Sequence, residues 1–409
     1  MEINRYVLDN GLKIIHSKDA TTKMVAFNIL YNVGSKDEKE GNTGLAHFFE
    51  HLMFGGSCNV KDFDYELQRA GGESNAWTSD DITNFYEVLP SHNIETAFWL
   101  ESDRMIEPSL DDNSIEVQRS VVIEEFKQRC LNQPYGDLEH IMRNAAFDEH
   151  PYKWPVIGRS VEEIENISKD DIKKFFYSHY APNNAILCIS GNIEFDEVVR
   201  LSQKWFGSIE RRLIAPKNLI QEKPQKAYKE LSVKKDVPHN IIYRGYKMCG
   251  RLDDKYHTYD LMSDILANGN SSRFIKNIVK RGVGFISLDS SVWGSLYPGL
   301  FLVKGSLLPG VSFSEGKEII DKELMNLING DIEEAEIEKC INKVESRELF
   351  SNLNYAERAS NLAYYELLGN ANMIFDEINK YKSLSPSSFK NKNLLKDDNC
   401  TTILYGPDA

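Results

Sequence analysis

His47, Glu50 and His51 form an H-x-x-E-H pattern inside the run Gly44-Leu-Ala-His-Phe-Phe-Glu-His-Leu-Met-Phe-Gly-Gly56. On a helix, histidines four apart stack one turn above the other, and a glutamate just before the second projects beside them. Two imidazoles and a neighbouring carboxylate are the first half of a catalytic zinc site, which takes three protein ligands and keeps one position open. With the glutamate before the second histidine, the order is the inverted form of the zincin motif. An amphipathic helix carries so short a pattern by chance often enough that the rest of the chain must supply the context.

A third ligand has one good candidate. Residues 113–129 read as a helix on which Glu125 shares a face with Gln118, Val121 and Val122. A carboxylate rising from an apolar stripe calls for a partner. Glu124 points about 100° away and reads as solvated or as an outer neighbour of the ligands. On helix physics alone, a surface glutamate paired with Arg129 is the plainer account of Glu125. The other histidines (His16, His92, His140, His150, His179, His239, His257) lack ligand spacing, and the six cysteines include no C-x-x-C pair.

The elements that would position these residues can be read in outline. Asn10-Gly11 joins two short strands into a hairpin, and residues 24–31 form a further strand. Asn42 or Thr43 is expected to cap the motif helix, and Gly55-Gly56 to end it. Residues 73–78, with Asn75 and Ala76, pair as a strand with 83–89. A short buried strand at 185–190 closes the first half. Residues 211–229, with Arg211-Arg212, Pro216 and Pro224, have the composition of a linker. The second half repeats the grammar, with long helices over 312–327 and 334–367, and ends in a strand at 400–405 that resembles 184–192. The expected fold is α+β, with two structurally similar domains, each a mostly antiparallel sheet flanked by helices. The boundaries are 1–210 for a zinc-binding domain, 211–229 for the linker and 230–409 for a homologous, inactive domain.

A net charge of −14 argues against a nucleic-acid partner. There is no apolar run of about 18 residues to span a membrane, and no G-x-G-x-x-G or Walker loop for a nucleotide. The amino terminus lacks a basic-then-apolar leader, so a cytoplasmic location is expected, or a periplasmic one if a signal peptide has been removed.

The motif run is similar to the G-x-A-H-x-x-E-H-x-x-F block of the pitrilysin/insulinase family of inverted zincins, which includes the mitochondrial processing peptidase β subunit. Gly71-Gly-Glu-Ser-Asn-Ala-Trp-Thr78 resembles its G-G-x-x-N-A-x-T block, and Val121-Val-Ile-Glu-Glu125 the segment holding its third ligand. His150-Pro-Tyr152, Pro155-Val-Ile-Gly158 and Tyr180-Ala-Pro-Asn-Asn184 match later blocks in order and spacing, and the resemblance covers essentially the whole chain. It implies a zinc endopeptidase in which His47, His51 and Glu125 hold Zn²⁺ and Glu50 is the general base. Peptide substrate would add as a strand along Asn75 and Ala76 inside a closed chamber.

Two departures stand out. Gln118 occupies the position where many relatives have a glutamate supporting the ligands, so the charge that supports the metal is reduced. Self-sufficient relatives also carry an Arg and a Tyr seven apart in the second domain, and here Ile278 and Phe285 stand in those places. Neither can donate a hydrogen bond to an oxyanion, and Arg273 and Arg281 are not clearly placed to substitute. The resemblance therefore implies a heterodimer in which a second family chain supplies the Arg/Tyr pair, with a homodimer as the alternative. A different class also exists on this fold, the non-catalytic structural subunit. Such chains usually lose the H-x-x-E-H residues that this one keeps.

Overall fold

Strands buried on both faces sit at the centres of two sheets, and strands exposed along much of their length lie at their rims. The computed structural model describes residues 1–214, 217 and 220–409, so Pro216 of the expected linker lies outside the described residues. The first sheet contains β1 (Asn4–Val7), β2 (Lys13–Lys18), β3 (Met24–Tyr31), β4 (Glu73–Thr78), β5 (Thr83–Pro90) and β6 (Ala185–Gly191), in the spatial order β1-β2-β6-β3-β5-β4. The second contains β7 (Lys229–Lys234), β8 (Ile241–Lys247), β9 (Phe285–Val292), β10 (Leu300–Leu307) and β11 (Cys400–Gly406), in the order β7-β11-β8-β10-β9.

The repeat is plain in the pairing. In the first sheet β2 and β6 are parallel and every other pair is antiparallel. In the second, β7 and β11 are parallel and the rest antiparallel. Thus β11 occupies the place of β6, as the likeness between the two stretches predicts. The α+β fold with two similar, mostly antiparallel sheets is the observed one.

The compact units do not follow the sequence halves. One comprises Met1–Gln128, Trp154–Leu219 and Glu348–Phe375; the other comprises Arg129–Lys153, Ile220–Arg347 and Asp376–Ala409. The helix Tyr355–Leu368, from the second half, covers β3 and β6 of the first sheet. The helix Leu138–Ala146, from the first half, packs on β8 and β11 of the second. Boundaries at 1–210 and 230–409 therefore miss an exchange in each direction. Periodicity tells which face of a helix is apolar, but not which sheet that face covers.

Several helices end earlier than their periodicity predicts. The expected helix over 113–129 is α-helical only over Asp112–Phe126, then widens into a π-turn over Lys127–Leu131. The single helix expected over 334–367 breaks at Asn354, whose side chain caps a new helix by accepting from the amides of Ala356 and Glu357.

Candidate metal centre

The motif helix spans Leu45–Leu52 and buries Leu45, Ala46, Phe48, Phe49 and Leu52. Phe49 stacks on Tyr180 and Phe176, with ring centroids 4.5 and 5.6 Å away. Phe48 lies under the Arg119 guanidinium at 5.3 Å, which ties this helix to the one carrying Glu125. The apolar residues thus fix the helix rotation, and His47, Glu50 and His51 follow from it.

Its amino end differs from expectation. Neither Asn42 nor Thr43 caps it. The N-cap is Gly44, at φ +87°, where a side chain would be strained and would also crowd the backbone of Ile157 and Gly158. The buried carboxylate of Glu38 accepts from the amides of Gly44 and Ala46, at 2.9 and 2.8 Å. Burial pushes the Glu38 carboxyl well above the ordinary carboxylate range, against the pull of those two donors. Thr43 is used otherwise, its hydroxyl donating to Glu163.

Glu125 comes to the two histidines. Its Oε2 lies 3.5 Å from His47 Nε2 and 3.4 Å from His51 Nε2. The ligand atoms of all three residues lie within 4.8 Å of one another. Tetrahedral zinc, with bonds of about 2.0–2.1 Å, holds neighbouring donors ~3.3–3.4 Å apart. The two carboxylate-to-imidazole spacings fit it, and two imidazoles with one carboxylate are a zinc donor set. The side chains of His47, His51 and Glu125 are 10%, 25% and 21% exposed, so one side of the cluster is open to solvent.

The neighbours of Glu125 differ in part from the helix reading. The buried stripe is Ile115, Arg119, Val122 and Phe126. Val121 is 46% exposed, and Gln118 is half-buried on the same helix. Glu124 faces solvent and pairs with Lys127 at 2.7 Å, so the structure does not bring it to the cluster. Of its two readings, solvated or an outer neighbour of the ligands, that ion pair accords with the first. The π-turn beginning two residues after Glu125 is a device often found beside functional sites.

Glu50 is half-buried, and its Oε2 accepts from the hydroxyl of Thr78, the last residue of β4. Thr78 was missed by motif reading, although it closes the glycine-to-threonine block. β4 is an edge strand: among the described residues only β5 pairs with it. Ser79 donates its amide to Ile82 at 2.8 Å, whereas the Ala76 amide bonds the Asn75 side-chain oxygen at 2.8 Å. Odd residues therefore direct their N–H groups toward β5, and Ser74, Ala76 and Thr78 direct theirs to the open edge.

In the second unit, Ile278 and Phe285 are 4% and 1% exposed members of its apolar core. Arg273 is committed to Glu336 at 2.7 Å and to the Asp331 carbonyl, while Arg281 is exposed.

Residues 13–159 match the family profile described as Insulinase (Peptidase family M16), and residues 166–344 match the Peptidase M16 inactive domain. The zinc protease PqqE of Helicobacter pylori is 30% identical over 422 residues, covering 98% of this chain and 92% of its own. An uncharacterized zinc protease of Bacillus subtilis, YmxG, is 25% identical over 278 residues, 68% of this chain and 66% of its own. A crystal structure of a protease from Helicobacter pylori matches with a TM-score of 0.94 at 28% identity, over 99% of both chains.

Proposed function

The chain belongs to the insulinase (M16) family of peptidases, and from that premise we propose that it is a zinc endopeptidase acting on extended peptides. The convergence of His47, His51 and Glu125 carries this reading. A zinc ion held by these three residues supplies Lewis acidity, acidifying water and polarising the carbonyl under attack. Glu50, beside the ligands but not among them, would take a proton from the attacking water and return it to the leaving amine. The peptide lies along β4 as an added strand, bonding the outward amides near Asn75 and Ala76, in a closed chamber.

The buried, donor-free Ile278 and Phe285 support a division of labour, in which a second family chain contributes the oxyanion donors. Glu50→Gln tests the core of the proposal. Zinc content by atomic absorption should stay near that of the wild type, while peptide turnover falls by about 10²–10⁴-fold, the usual contribution of a general base. A variant that still turns over peptide at the parent rate would remove Glu50 from that role.

A further inference from the structure

We propose that Thr78 is a positioning residue for the Glu50 carboxylate, so that the strand receiving the peptide also orients the base. This rests on the zinc-peptidase reading above. The terminal torsion of a glutamate is broad and roughly two-fold, so nothing intrinsic to the side chain fixes the plane of its carboxylate. The Thr78 hydroxyl fixes it here by donating to Oε2. Threonine suits the role because its branched Cβ restricts χ1, so the hydroxyl direction follows the strand backbone.

That backbone is also the docking edge. The Ala76 and Thr78 amides point to the unpaired side of β4, and the Ala76 amide bonds the Asn75 side-chain oxygen. A peptide carbonyl arriving there displaces that oxygen, and ladder bonds then order β4 up to its last residue. Thr78 is consequently held through its main chain by the substrate and through its hydroxyl by the base. The general base is best fixed when the edge is filled, so its orientation tightens as the peptide binds.

The experiment compares Thr78→Val, which keeps the shape and loses the donor, with Thr78→Ser, which keeps the donor. Both are made in the full chain, loaded with zinc and assayed on an extended peptide. Thr78→Val should lower kcat about 10-fold or more, since small misplacements of a catalytic group cost up to ~10²-fold. Its KM and zinc stoichiometry should stay within about two-fold of the parent, and Thr78→Ser should recover most of the loss. An undiminished kcat in Thr78→Val, a parallel loss of zinc or of folded protein, or a failure of serine to rescue would each overturn the proposal.

Crystal structures of the zinc-loaded parent and both variants provide a readout without turnover. The Glu50 carboxylate should rotate in Thr78→Val and keep its place in Thr78→Ser; an unmoved Glu50 in the valine variant overturns the proposal. A parent that binds zinc yet cleaves no peptide even beside a family chain carrying the Arg/Tyr pair would sink the endopeptidase reading, and the variant structures would still decide the role of Thr78.

Discussion

Glu125 and His179 illustrate two ways in which a fold sets the state of a single side chain. Glu125 faces two imidazole nitrogens on another helix, a spacing that suits a shared cation better than three independent polar groups. Replacing it with alanine leaves two ligands, and zinc bound per chain should fall well below one after dialysis against dilute chelator. Unchanged metal content would exclude it. His179 closes the helix Lys169–His179, where the helix dipole favours a charged imidazole by about 0.3–1 kcal/mol. Burial wins: the His179 imidazole is pushed down to about 4, foremost by desolvation. Between pH 6.5 and about 4 the unfolded chain takes up a proton that the folded one does not. Stability is therefore lost as the pH falls through that window. The loss is on the order of 2–3 kcal/mol from this residue, and His179→Gln should flatten the acid limb of a Tm-against-pH curve.

At the scale of elements, the motif helix is short, and isolated helices of its length are not stable in water. Its geometry comes from outside: Phe49 against Tyr180 below, Arg119 across Phe48, and Glu38 at its amino end. Each buried amide left without an acceptor costs about 1–3 kcal/mol. Glu38→Ala should thus lower Tm by several degrees and weaken zinc affinity, measured by competition with a chromogenic chelator. Glu38→Gln, which keeps one acceptor oxygen, should fall between. Equal Tm and zinc affinity in all three proteins would show that the helix is held without Glu38. Part of this was legible in the sequence: the apolar positions of the helix were readable, but the loop carboxylate that caps it was not. Standard capping rules look to the residue just before the helix, and here the acceptor is six residues upstream of Gly44.

Over the whole molecule, two sheets of the same topology carry different chemistry. The first has a trio of side chains able to hold a metal ion, on and beside a helix facing an edge strand. The positions in the second that correspond to the Arg/Tyr pair are buried in its core. Under the proposed division of labour, the chain alone should bind zinc fully yet turn over peptide slowly. Adding a family chain that carries the Arg/Tyr pair should raise kcat by about 10²–10³-fold, the usual worth of an oxyanion donor. A chain fully active as a purified monomer would rule out the need for that partner. Among the described residues no helix is long and apolar enough to cross a membrane.

By itself the sequence determined the candidate ligand types and their order, the strand beside the motif, and the two-fold repeat of an α+β domain. These are local properties: residue type, spacing along one helix, alternation along one strand. Only the tertiary structure decided that Glu125 turns to the histidines and not to solvent, that Glu124 pairs with Lys127, and that Thr78 holds Glu50. Those outcomes depend on how one helix is rotated against another, which buried residues such as Phe48 and Arg119 set across long stretches of chain. The exchange of helices between the two sheets was likewise invisible from sequence, because an apolar face does not record which partner buries it. The H-x-x-E-H run proposes the chemistry, and the packing around it decides the geometry in which that chemistry would occur.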